Sequence, residues 1–181
     1  MRPTRGALAH AAAVVEGMLL FTGPADEMLS AYFRQHRALG QQERAFVAEA
    51  SFAGLRRRRS LEAAAGSAVP GALVAAAVMR VLGLSSRALE GLIDDALAQR
   101  IRSFRVETLP DAARADLPDW LWQRLLEEHG RAEALGIAQG MLNPAPLDLR
   151  VNLARADREE VLARLERDGI EAAATRYSPA G

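Results

Sequence analysis

The chain has 181 residues, enough for one domain or two small ones, and 50% of them are hydrophobic, so a packed core is available. Basic and acidic residues balance at 23 each, which removes any global pull towards nucleic acid or an anionic membrane. There is no cysteine, which excludes disulfides, thiolate metal sites and a cysteine nucleophile.

Every cation is an arginine; with the abundant alanine, this points to GC-rich codon usage more than to a binding device. The apolar run Val14 to Phe21 is too short for a membrane span and contains Glu16 and Gly17. Nothing reads as a signal peptide, so a cytoplasmic protein with no membrane partner is expected.

In chain order, Thr4 is placed to cap a first helix running to about Leu20, with Leu8, Ala11, Ala12, Val15, Met18 and Leu19 as its apolar stripe. Thr22-Gly23-Pro24 is a turn, and a second helix from Pro24 turns Met28, Leu29, Tyr32 and Phe33 inward until Leu39-Gly40. A third, long helix starts near Gln41 and buries Phe46, Val47, Ala50, Phe52, Ala53 and Leu55. Arg56 to Arg59 follow, then Leu61 and alanine-rich turns to Gly66. The helix Ala72 to Leu82 is apolar nearly all round, which places it at the centre of the core. Ser85 or Ser86 caps a fifth helix carrying Leu89, Leu92, Ile93, Ala96, Leu97 and Ile101, and Ser103 to Asp116 reads as a linker.

The last third has a distinct order. Leu117-Pro118 starts a helix, because proline's fixed φ suits a first turn. Trp120, Leu121, Arg124 and Leu125 follow at helical spacing, then a second short helix. Asn143-Pro144-Ala145-Pro146 cannot continue it. Leu147, Leu149 and Val151 then alternate with Asp148, Arg150 and Asn152, the period of a half-buried strand. Asp157 with Glu160 approximates a capping box for a helix Arg158 to Asp168, and Ile170 to Tyr177 reads as a second strand.

This order resembles the Sun/Fmu-type (RsmB/NOP) enzymes, which methylate carbon 5 of cytosine in small-subunit ribosomal RNA. The matching residues are Pro118, Trp120 and Leu121, then Asn143, Pro144 and Pro146, then Leu149-Arg150-Val151-Asn152, with the helix, glycine turn, strand and Ser178-Pro179 after them. Glu43-Arg44-Ala45-Phe46 and Gly54-Leu55-Arg56 fall where the family's NusB-like helical domain has similar residues, although the bundle before Pro118 is shorter than usual. The resemblance implies a mainly α chain: a NusB-like RNA-binding bundle over 1–108, then linker helices and a small α/β (strand–helix–strand) RNA-recognition module over 109–181. It also implies a parent enzyme that uses S-adenosylmethionine. This chain shows neither the family's glycine-rich cofactor loop nor its cysteines. It is therefore expected to be a non-catalytic piece of a longer enzyme, with no cofactor of its own. Its expected partners are ribosomal RNA and the catalytic domain of the same protein. The alternatives are a stand-alone NusB-like RNA- or protein-binding module and a helical interaction protein with no RNA role.

No catalytic or metal-binding residue stands out. His10, His36 and His129 are scattered, with no pair at ligand spacing. Glu127, Glu128, Asp157, Glu159 and Glu160 lie on amphipathic helices and read as solvated faces. Candidate RNA contacts are Arg56 and Arg57, weighed evenly against a solvated helix end that the arginine charge would complement, whereas Arg58 and Arg59 are assigned to that solvated end. Arg150 and Asn152 join them, weighed evenly against ordinary exposed or turn-capping residues. Trp122 is the expected surface aromatic and Trp120 the expected core anchor.

Overall fold

A computed structural model describes residues 3–143, 145 and 147–181. The chain divides into two compact units, Met1–Leu142 and Asn143–Gly181.

In the first unit, α1 (Arg5–Met18) opens where Thr4 accepts a hydrogen bond from the Ala7 N–H, and it buries Ala7, Leu8, Ala11, Val14, Val15 and Met18 on one face. Helix α2 (Ala25–Gln35) buries only Leu29 fully and leans on α1. Helix α3 (Gln41–Arg56) begins where the Glu43 carboxylate accepts from the Gly40 N–H. Helix α4 (Arg58–Ala65) replaces the expected alanine-rich turns. The backbone breaks at Arg57, and Leu61, Ala64 and Ala65 then give a buried face, closed by Gly66 at φ 65. Nothing in the run Arg56 to Arg59 punctuates the sequence, so the break leaves no local signal.

Helix α5 (Pro70–Arg80) carries proline in its first turn, and Leu73 through Val78 are all buried. It packs on α1, α3 and α4, the central role its all-round apolarity predicts. The expected fifth helix splits. Ser85 caps only a 3-10 turn, Ser86–Leu89, Gly91 turns the chain at φ 73, and Asp94 caps α6 (Asp95–Ser103), which also packs on α5. The expected linker holds a further 3-10 turn and the short α7 (Asp111–Arg114). Helix α8 (Asp119–Leu142) bends at Gly130, where φ 71 and ψ 168 suit glycine alone, so the expected pair of short helices is present. A second, smaller core joins Ala115, Leu117, Trp122, Ala134 and Ala138. Among the described residues no single helix is long and apolar enough to cross a membrane.

In the second unit, the Pro-bracketed turn at 143–146 falls partly on Pro144 and Pro146, outside the described residues. Helix α9 (Arg158–Arg167) has the expected capping box: Asp157 accepts from the Glu160 N–H at 2.8 Å, and Glu160 accepts from the Asp157 N–H. The expected strands flanking it do not form among the described residues, which corrects the α/β assignment for this module. Leu147, Leu149, Leu153, Ile170 and Tyr177 are all more than half exposed. Bonds from Val151 N–H to the Ala180 carbonyl and from Thr175 N–H to the Gly181 carbonyl hold a curled terminus, not a ladder. Alternation records which side chains a strand would bury, but a strand exists only against a neighbour, and two short segments with one helix bury little. What forms is a groove of about 450 Å³ between the Val161, Leu162 and Leu165 face of α9 and the extended flanks.

Candidate nucleic-acid interface

The candidate site lies in the first unit, where the arginine run meets the start of α8. Helix α4 begins with unpaired backbone N–H groups, as every helix does. Asp116, 56 residues away in sequence, supplies the missing acceptor: its carboxylate takes the Ser60 N–H and the Ser60 hydroxyl, each at 2.7 Å. Asp116 sits at φ 54, a left-handed conformation that aspartate tolerates better than most residues. Burial pushes its carboxyl above the ordinary aspartate value, although the Ser60 bonds and the Arg57 charge pull the other way.

Arginine completes the junction. Arg59 Nη1 donates to the Leu117 carbonyl and to Asp119 Oδ1, the latter at 2.7 Å. Arg57 Nη2 donates to the Leu142 carbonyl at 3.4 Å. The run is therefore stitched to both ends of α8. Arg58 pairs with Glu62 one turn along. Arg56 is exposed, its guanidinium 5.7 Å from the centre of the Phe52 ring. Arg59, assigned from sequence to a solvated helix end, is instead the main link to α8. Its partner Asp119 lies 60 residues on, and no spacing rule connects them. Arg56 remains the outward cation, and Arg57 is half-buried beside Asp116.

The two tryptophans exchange the places expected for them. Trp122 is 5% exposed, within the small core, and its ring faces are closed to a base. Trp120 is 72% exposed. The inward row of α8 is Leu121, Trp122, Leu125 and Leu126, whereas Trp120 shares its row with Arg124, which pairs with Glu128. The sequence held this signal, since a face shared with Arg124 is the wetter one.

Arg150 and Asn152 belong to the second unit. Arg150 is exposed. Asn152 Oδ1 accepts from the Ala154 N–H at 3.1 Å, and its carbonyl accepts from Arg155 and Ala156, so it caps the turn that leads towards α9. With no strand there, the two do not share a sheet face.

The structure also gathers residues that looked scattered. His10 Nδ1 bonds the Tyr32 hydroxyl at 2.7 Å, Tyr32 stacks on His36 with ring centres 4.0 Å apart, and burial pushes the Tyr32 phenol up. This cluster fastens α2 to α1. Among the described residues no group of three or more histidine or acidic side chains is arranged to hold a metal ion.

Residues 117–181, just over a third of the chain, match the family model described as "Methyltr_RsmF/B-like, ferredoxin-like domain". The match supports a relation to the Sun/Fmu-type methyltransferases and hence to enzymes of ribosomal RNA. It begins at Leu117, whose carbonyl Arg59 holds. No curated protein and no solved structure matches the chain.

Proposed function

We propose that this chain is an RNA-docking region of a ribosomal RNA cytosine-5 methyltransferase, with the junction of Arg56, Arg57 and the start of α8 as its contact surface. The observation that carries the reading is the coincidence of two boundaries. The methyltransferase-like segment starts at Leu117, and the arginine run is bonded to that same carbonyl and to the next turn. The helical first unit is consistent with a shortened NusB-like bundle. Arg56 faces solvent and Arg57 lies beside it, so both can reach phosphate oxygens, Arg56 as an open point of contact and Arg57 by releasing a single long bond to Leu142.

Methyl transfer is not assigned to these residues. With no cysteine in the sequence, none of them can make the covalent attack on the base, and S-adenosylmethionine belongs to the parent enzyme in this reading. A helical interaction module with no RNA role draws support from the balanced charge.

A salt titration of the full chain with a single-stranded ribosomal RNA segment separates the readings. Phosphate contacts give an affinity that falls log-linearly with salt. Replacing Arg56 and Arg57 together by alanine should weaken binding evenly across RNA sequences and reduce the salt slope by about one to two. Unchanged binding and slope in the double variant would remove this surface from consideration.

A further inference from the structure

We infer that Trp120 is a stacking platform for one unpaired RNA base, with the adjoining arginines receiving the flanking phosphates. The inference rests on the RNA-docking reading above and gives that surface its ligand: single-stranded rather than duplex RNA.

Tryptophan is among the largest apolar side chains, and a helix start that leaves it 72% exposed forgoes the burial that Trp122, two residues on, obtains in full. The backbone around Trp120 is held firmly, so the exposure is a fixed property of the helix start and not of a loose tail. Asp116 caps α4, Arg59 grips Leu117 and Asp119, and the Pro118 carbonyl accepts from the Leu121 and Trp122 N–H groups. The indole is thus presented on a rigid mount, which lowers the ordering cost of binding.

Charge selects the occupant. Asp119, the acidic neighbour, is paired with Arg59, so it does not present an unopposed negative charge beside the ring. Arg124 lies one turn along the same row, 69% exposed, in a surface pair with Glu128 that a phosphate can displace at little cost. The run from Arg56 to Arg59 is joined to this helix start by the Arg59–Asp119 pair. A flat aromatic face with Arg124 one turn along and the arginine run bonded to the adjacent Asp119 suits single strands, because every base has a π face and every nucleotide a phosphate. Duplex RNA keeps its bases stacked on one another and offers none to the indole.

The test uses the full chain with a short single-stranded oligouridylate and a duplex RNA of equal length. Trp120→Ala should weaken oligouridylate binding roughly five- to a hundred-fold while leaving the salt slope unchanged, since stacking releases no counterions. Trp120→Phe should restore most of the affinity. Indole fluorescence should be quenched by oligouridylate in the native chain and not in Trp120→Phe, where buried Trp122 alone reports. Duplex RNA should bind more weakly than the single strand and be insensitive to Trp120→Ala. Both variants change an exposed side chain, and an unaltered circular dichroism spectrum confirms that they fold. Salt-dependent binding that Trp120→Ala leaves intact would overturn the platform and spare the arginine surface. Absence of any binding to oligouridylate by the native chain would overturn both.

Discussion

Asp116 shows how one residue sets the geometry of the site. It accepts two bonds from Ser60, caps α4 from a distant part of the chain, and occupies a left-handed backbone conformation. Because burial raises its folded-state pKa, its contribution to stability is fully present below about pH 4 and is lost as pH rises through the raised value. Asparagine keeps an acceptor for the Ser60 N–H, tolerates the same backbone and carries no charge to bury. Asp116→Asn should therefore melt at or above the native temperature at pH 7, with its advantage shrinking towards pH 4. Asp116→Ala loses both bonds and should cost about 1–2 kcal/mol. An Asp116→Asn variant that is equally destabilised at both pH values would refute the burial argument. None of this was legible in the sequence, where Asp116 closes an apparent linker. The exchange of Trp120 and Trp122 was legible, because Leu121, Trp122, Leu125 and Leu126 form a cleaner helical stripe than any that includes Trp120 and Arg124.

At the scale of elements, local chemistry predicted what local chemistry controls. Thr4 and the Asp157–Glu160 pair cap helices where expected, α3 starts near Gln41 as expected, and the unbroken apolarity of α5 put it at the centre. Elements defined by distant partners were missed. Helix α4 depends on Asp116 for its cap, and the strands expected around α9 needed a neighbouring strand that the second unit does not supply. Among the described residues those segments show no ladder bonds; the Val151 and Thr175 amides are held by the curled terminus and the Ile170 amide by the Leu165 carbonyl at the end of α9. Hydrogen exchange should be faster over 147–153 and 170–177 than over α5, where Leu73 through Val78 are buried. Equal protection in dilute monomeric protein would show that the flanks are paired strands after all.

Over the whole molecule, balanced charge conceals unequal use of the arginines. Several are spent on carbonyl groups at helix ends: Arg44 on Leu39, Arg80 on Ile101 and Phe104, Arg59 on Leu117. Counting charge along the sequence cannot separate these from the arginines left to meet a partner, which is why Arg56 to Arg59 looked uniform and is not. The resemblance in the last third was readable from residue order and agrees with the match over 117–181, whereas the contact between the start of that segment and the arginine run appears only in three dimensions. The proposed contact surface predicts where RNA lands. Hydrogen exchange of the full chain, recorded with and without a single-stranded ribosomal RNA segment, measures this directly. Slowed exchange should concentrate at the Arg56–Ser60 segment and across Leu117–Arg124, with α1 and α2 unchanged. Protection confined to other parts of the chain, or none at saturating RNA, would contradict it.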